Sequence, residues 1–248
     1  MRADGLFEQE SHNVLMYWGA RQESATECAR RAQRLFQSLA ECDPALRHWY
    51  TRGHTTRGRP GVPVDTKVLA PLEEEMLRGR HWTDRNKRVI EELGFLTHFW
   101  NEETPALQIT ITCGAYTSTP NSCILMLRGG GTTSPRLLNV PMLARLMTIM
   151  VEAWDVDHGL VSTNNYTLLI GRKDSGPVGA GWLTYVSRRQ GEVPPMPDGV
   201  RIESLGEHGT LLVLPVEGFT ADNAEHVALA GQVRQRLMNA GLLELRQR

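Results

Sequence analysis

The stretch from residue 139 to residue 163 constrains this chain more than any other. Between Met142 and Trp154 the only polar side chains are Arg145, Thr148 and Glu152, which on a helix fall at i, i+3 and i+7 and form one narrow stripe. A helix apolar over most of its circumference must be covered on nearly every side. This predicts a buried central helix, about 20 Å long at 1.5 Å per residue, with Pro141 in its first turn, where a missing N–H leaves no bond unmade. The helix should stop within Asp155 to Gly159, and Leu160 to Thr163 should follow as a strand lying against it.

The remaining segments can be placed around that unit. Asn13 to Trp18 is an apolar strand candidate. Leu107, Ile109, Ile111 and Cys113 alternate with Gln108, Thr110 and Thr112, the pattern of a strand with one dry and one wet face, and Cys123 to Leu127 should be its neighbour. Trp182, Thr184 and Val186 fall on one face of a strand and Leu183 and Tyr185 on the other, so both faces should be covered and the strand interior. Residues 200 to 205 and 210 to 215 read as a hairpin about Gly206 and Gly209. Among helices, Ser24 and Glu27 have capping-box spacing, followed by Ala25, Cys28, Ala29, Ala32, Leu35, Phe36 and Leu39 at helical period. Asp65 is expected to cap a helix that Gly79 ends, Asn165 to Ile170 to form a short helix, and Thr220 to cap a last helix that Gly241 ends. Val89 to Trp100 has no clean period and is left as helix or strand. Together these segments predict a single α+β domain over residues 1–248, with a mostly antiparallel sheet, packed helices and the buried central helix; residues 1–12 are expected to be loose.

Charge and composition then narrow the function classes. A formal net charge of −1 on 248 residues gives no global field for nucleic acid or anionic lipid. Neither is expected as a partner. Cys28, Cys42, Cys113 and Cys123 are scattered, without a CxxC pair or zinc-ligand spacing, and read as free, mostly buried thiols. No apolar run reaches the length of a membrane span and the amino terminus lacks a signal-peptide core, so a cytoplasmic site of action is expected. The histidines form no HxH or HExxH pairing, and no nucleophile–base constellation stands out. Hence no cofactor, no metal and no catalysis are expected. Two other readings keep a foothold. Asp155, Asp157 and His158 concentrate carboxylates and an imidazole in one turn, where an enzyme could hold a metal or a base. Arg30, Arg31 and Arg34 on the first helix, with the arginine-rich loop of residues 51–63, could serve a nucleic-acid-binding module.

Several stretches also carry a resemblance. YWGARQESATECARRAQRLFQSLAECDP, EELGFLTHFWN, CGAYTSTPNS, VEAWDVDHGLVS, GWLTYVSRR and FTADNAEHVALA, in this order, resemble the immunity protein 52 family of bacterial polymorphic-toxin systems, from about Leu15 to Leu243. Glu152, Trp154 and Asp155, with Gly181 and Trp182, are the more specific pieces. The resemblance implies a protein encoded beside a toxin that it neutralises by binding. It further implies that the toxin carries a restriction-endonuclease-like nuclease domain, often delivered by type VI secretion.

A nuclease must attract a polyanion, so an inhibitor covering its channel gains on-rate and specificity from carboxylates. From Glu91 to Ile170 there are seven acidic residues against three arginines, and from Pro44 to Ile90 ten basic against five acidic. The toxin contact is therefore expected on Glu102, Glu103, Asp155 and Asp157, with Arg57 and Arg59 of the long loop as a second contact. Trp154 and Trp182, each bordering an apolar segment, are expected to be core.

Overall fold

The computed structural model describes residues 5–51, 61–80, 82–102, 106–128, 134–171 and 179–245. Its strands are β1 (His12–Trp18), β2 (Trp49–Thr51), β3 (Val62–Val64), β4 (Phe95–Trp100), β5 (Gln108–Cys113), β6 (Asn121–Leu127), β7 (His158–Thr163), β8 (Leu183–Ser187), β9 (Arg201–Ser204) and β10 (Gly209–Val213). Its helices are α1 (Ala25–Cys42), α2 (Leu69–Arg78), α3 (Ser134–Leu137), α4 (Val140–Trp154), α5 (Asn164–Gly171) and α6 (Ala224–Asn239). All ten strands join one sheet in the order β3-β2-β4-β5-β6-β1-β7-β8-β10-β9, and every neighbouring pair is antiparallel. The predicted single α+β domain is therefore what forms.

The first strand is the seam of the sheet. β1 pairs with β6 on one side and β7 on the other, so β6 and β7 run parallel to each other with β1 between them. Parallel strands need a long crossover, and α4 supplies it. α4 contacts β1 and β8, the strands on either side of β7, and also α1, which in turn contacts α2. The central helix thus lies across the strand expected beside it, held between sheet and helix.

Local chemistry explains most boundaries. Ser24 and Glu27 bond reciprocally as a capping box, and Leu35, Phe36 and Leu39 of α1 are buried. On α4, Asn139 caps Met142 N–H, Arg145 and Glu152 lie exposed, Thr148 is half-buried, and Leu143, Leu146, Met147, Met150 and Trp154 are buried. β8 is buried along its whole length between β7 and β10. Val89–Trp100 resolves into a short 3-10 turn at Glu91–Leu93 and then β4, in which Phe95, Thr97 and Phe99 face inward.

Two predicted caps sit too early. Asp65 carboxylate and carbonyl accept from Lys67 and Val68 N–H, and α2 opens only at Leu69 after Val68. Thr220 likewise makes a turn through Asp222 N–H, and Asn223 caps α6. Gly241 ends α6 as expected. Its φ is +69°, and the bonds Leu242 N–H to Leu237 O and Gly241 N–H to Met238 O form a Schellman motif. Residues 5–11, expected to be loose, are bonded to the start of α5: Phe7 N–H to Asn165 Oδ1 and Ser11 N–H to Asn164 Oδ1. Of the loop 51–63, Thr51 closes β2 and residues 62 and 63 open β3; residues 52–60 lie outside the described residues.

Candidate functional site

Five of the six stretches that carry the family resemblance reach one end of the sheet, beyond Trp18, Cys113 and His158; FTADNAEHVALA lies at the other end, where Phe219 O is 3.0 Å from His12 Nε2. Asp155 ends α4 in the left-handed region, φ 53° and ψ 60°, with its N–H on Val151 O. Asp157 then joins the sheet: its N–H bonds Tyr17 O at 3.0 Å, its Oδ2 accepts Gly19 N–H at 3.0 Å, and its carbonyl accepts Ser187 N–H at 3.0 Å. Arg189, from the turn after β8, reaches back to Asp155 Oδ1 at 2.5 Å, Asp155 O at 3.2 Å, Val156 O at 3.4 Å and Asp157 Oδ1 at 3.4 Å. The YWGARQES and CGAYTSTPNS stretches meet beside it. Asn121 Nδ2 donates to Gly19 O and Ala115 O while its Oδ1 accepts Ala115 N–H, and Arg21 N–H bonds Ala115 O.

A second layer of contacts closes this end. Trp18 and Trp154 stack at 5.2 Å between ring centroids with planes 16° apart, and the Arg21 guanidinium lies over Trp18 at 5.3 Å. Glu23, half-buried, accepts from Arg21 and Arg31, and Arg31 also donates to Ala153 O at the end of α4. At the opposite end of the sheet, beside His12, Trp182 is buried and donates its indole N–H to Val216 O. Gly181 beside it is required by a close approach, since a Cβ there would stand 2.1 Å from Val161 O. Trp154 and Trp182 both lie in the buried core.

This arrangement ties α4, β1, β6 and β8 together, and it encloses two of the three residues of the Asp155, Asp157 and His158 turn. Asp157 and His158 are each 0 % exposed. Neither ring nitrogen of His158 has a hydrogen-bond partner among the described residues, and burial pushes its pKa down to about 3, with Asp157 pulling the other way. Among the described residues no group of three or more His, Cys, Asp or Glu side chains converges as metal ligands. Cys28, Cys113 and Cys123 are buried free thiols and Cys42 is half-buried; burial pushes Cys113 and Cys123 up, away from the reactive thiolate. Arg31 serves Glu23 and the α4 terminus, while Arg30 and Arg34 are exposed.

The carboxylates grouped by charge along the sequence are not grouped in space. Trp100 is level with Gln108, Met126, Asn13 and Ser162 across the sheet, so Glu102 lies at the end opposite Asp155. Four strand spacings and the length of a strand separate them, on the order of 25 Å. Glu102 is exposed and accepts the Tyr50 hydroxyl, which raises the Tyr50 pKa. Asp155 is half-exposed and Asp157 enclosed, and both share Arg189. Glu103, Arg57 and Arg59 lie outside the described residues.

Sequence reasoning missed two surfaces. The outer face of β4, β5 and β6 holds Leu96, Trp100, Ile124 and Met126, all half-exposed, around His98 and Thr110, whose Nδ1 and Oγ1 are 3.0 Å apart. The signal was present as apolar residues on the wet side of the alternation. A cleft of about 870 Å³ also opens between α1 and β3, where Glu41 and Asp65 stand with Arg47 and Lys67.

Fold and site together define a class: an α+β domain built on one antiparallel sheet, whose motif residues are bonded to its own backbone. The chain belongs to the immunity protein 52 family, whose model matches residues 10–246. Among solved structures it is similar to a Pseudomonas aeruginosa T6SS protein, PA0821, with a TM-score of 0.54 and 12% identity over 94% of this chain and 73% of that one. A lombricine kinase structure aligns at a TM-score of only 0.26, with 9% identity over 95% of this chain and 66% of that one. A search of curated proteins gives no match.

Proposed function

We propose that this protein is a cytoplasmic immunity protein that binds and neutralises a toxin encoded beside it, by covering the toxin and without catalysis of its own. The family match over nearly the whole chain carries this reading. The buried state of Asp157 and His158 supports it, because the turn that an enzyme reading needs is closed to substrate. The resemblance makes the toxin a restriction-endonuclease-like nuclease used in competition between bacteria, and the likeness to a T6SS protein fits delivery by type VI secretion.

The acidic contact belongs to the Glu102 end. Arg189 offsets the charge of Asp155 and Asp157, whereas Glu102 is exposed and is followed by Glu103 in sequence. Arg57 and Arg59 serve as the second contact. Co-purification of the tagged protein with the adjacent gene product, together with loss of nuclease activity in the mixture, tests the main reading. Failure to capture that product, or capture with full nuclease activity, refutes it. For the surface, Glu102→Lys with Glu103→Lys should slow association and abolish protection of toxin-producing cells, while Asp155→Lys leaves protection largely intact. The reverse order of effects moves the contact to the other end of the sheet.

A further inference from the structure

The sheet has two outer strands, and they are built differently. β3 carries Pro63 at its centre, a residue that blunts an edge by removing a donor. β9 carries none: its residues are Arg201, Ile202, Glu203 and Ser204. The bond from Leu205 N–H to Gly209 O sets the phase of the β9–β10 ladder, because antiparallel bonding alternates along a strand. Glu203 and Arg201, opposite Leu211 and Val213, therefore direct their backbone groups to β10. Ile202 and Ser204 direct theirs to the open side. Among the described residues no backbone bond reaches those outward groups. The side chains are available as well: Ile202 is 52% exposed, and Arg201 and Glu203, ion-paired at 3.0 Å on the opposite face, are 57% and 43% exposed.

We propose that the free edge of β9 docks a second copy of this chain, the two β9 strands pairing antiparallel about a two-fold axis at Ile202. Three features select that register. Ile202 stands opposite its own copy and exchanges two backbone bonds, as its outward N–H and C=O require. Arg201 of each copy stands opposite Glu203 of the other, so two cross-strand ion pairs form. Ser204 N–H faces the Val200 carbonyl, whose own N–H is already on Pro197 O. Moving the axis one residue either way sets Arg201 against Arg201 or Glu203 against Glu203 and brings inward-facing backbone groups to the seam. A symmetric contact of this kind uses one patch twice. So short an edge buries less than a standard interface, and the dimer is accordingly concentration-dependent.

Sedimentation velocity on the purified full chain, from micromolar to millimolar, tests this. The dimer fraction should rise with concentration. Ile202→Pro removes the outward donor and leaves the bonds to β10 in place, so it should abolish the dimer with circular dichroism unchanged. Glu203→Arg should weaken association about tenfold or more by opposing like charges, and Arg201→Glu combined with Glu203→Arg should restore it. The charge variants alter exposed side chains only, so the test stands even where Ile202→Pro fails to fold. A monomer at every concentration overturns the proposal, as does a dimer indifferent to all three variants. A double variant that stays weak removes the register. A monomer that loses toxin capture on Ile202→Pro shows that the edge takes the toxin instead.

Discussion

At the scale of single residues, the turn from Asp155 to His158 sets how stability follows pH. Burial holds the His158 pKa at about 3, below the unfolded value near 6.5. The unfolded chain therefore binds the proton first as pH falls, and acid favours unfolding between roughly pH 6.5 and pH 3. The expected loss is on the order of 1 kcal/mol for each pH unit within that window. His12, also lowered by burial, contributes with the same sign. The measurement is consequently a difference: urea midpoints at pH 7 and pH 5 should move less in His158→Leu than in the parent, and equal shifts refute the assignment. Asp157→Ala removes the acceptor of Gly19 N–H and one partner of Arg189, stranding a buried donor. It should cost about 2–4 kcal/mol by chemical denaturation.

At the scale of elements, α4 is stapled to β1 by the ring stack of Trp154 on Trp18. Trp154→Ala should cost about 3–5 kcal/mol, and a variant of unchanged melting temperature contradicts the central-helix argument. At the end of α6 the cost is purely one of backbone. A Cβ on Gly241 meets nothing within 4 Å, so Gly241→Ala should lose about 1 kcal/mol from its left-handed φ alone. Elements of this kind were legible in the sequence because their signals are local: the polar stripe of α4, the Ser24 capping box, the alternation of β5, the covered faces of β8. Others were not. Leu96 and Trp100 sit on the open side of β4 beside inward Phe95 and Phe99, so apolar residues on both faces erased its period. Thr220 and Asp65 have the chemistry of caps, but each bonds a nearer N–H and closes a turn before its helix begins. The acidic grouping failed differently. A charge count along the chain is blind to strand direction, and direction is what puts Glu102 and Asp155 at opposite ends.

At the scale of the whole molecule, no cut separates the two sides of the sheet into independent halves, because β1 belongs to both. A cleavage site engineered between residues 129 and 133, once cut, should release no stable half-length fragment. A stable fragment on either side of that cut refutes the single cooperative unit. The position of β1 also sets a clock. Its apolar residues leave the ribosome before those of every other strand, yet the second strand that flanks it ends only at Thr163. At about 5–20 residues per second, that neighbour arrives on the order of 10 s later. Until then β1 can pair only with β6, which is complete at Leu127, and its other edge stays open, so the half-built sheet is a client for whatever shields apolar edges in the cell. The order of synthesis thus gives this sheet two stages, a half from β3 to β6 that β1 can join at once and a half that waits for β7.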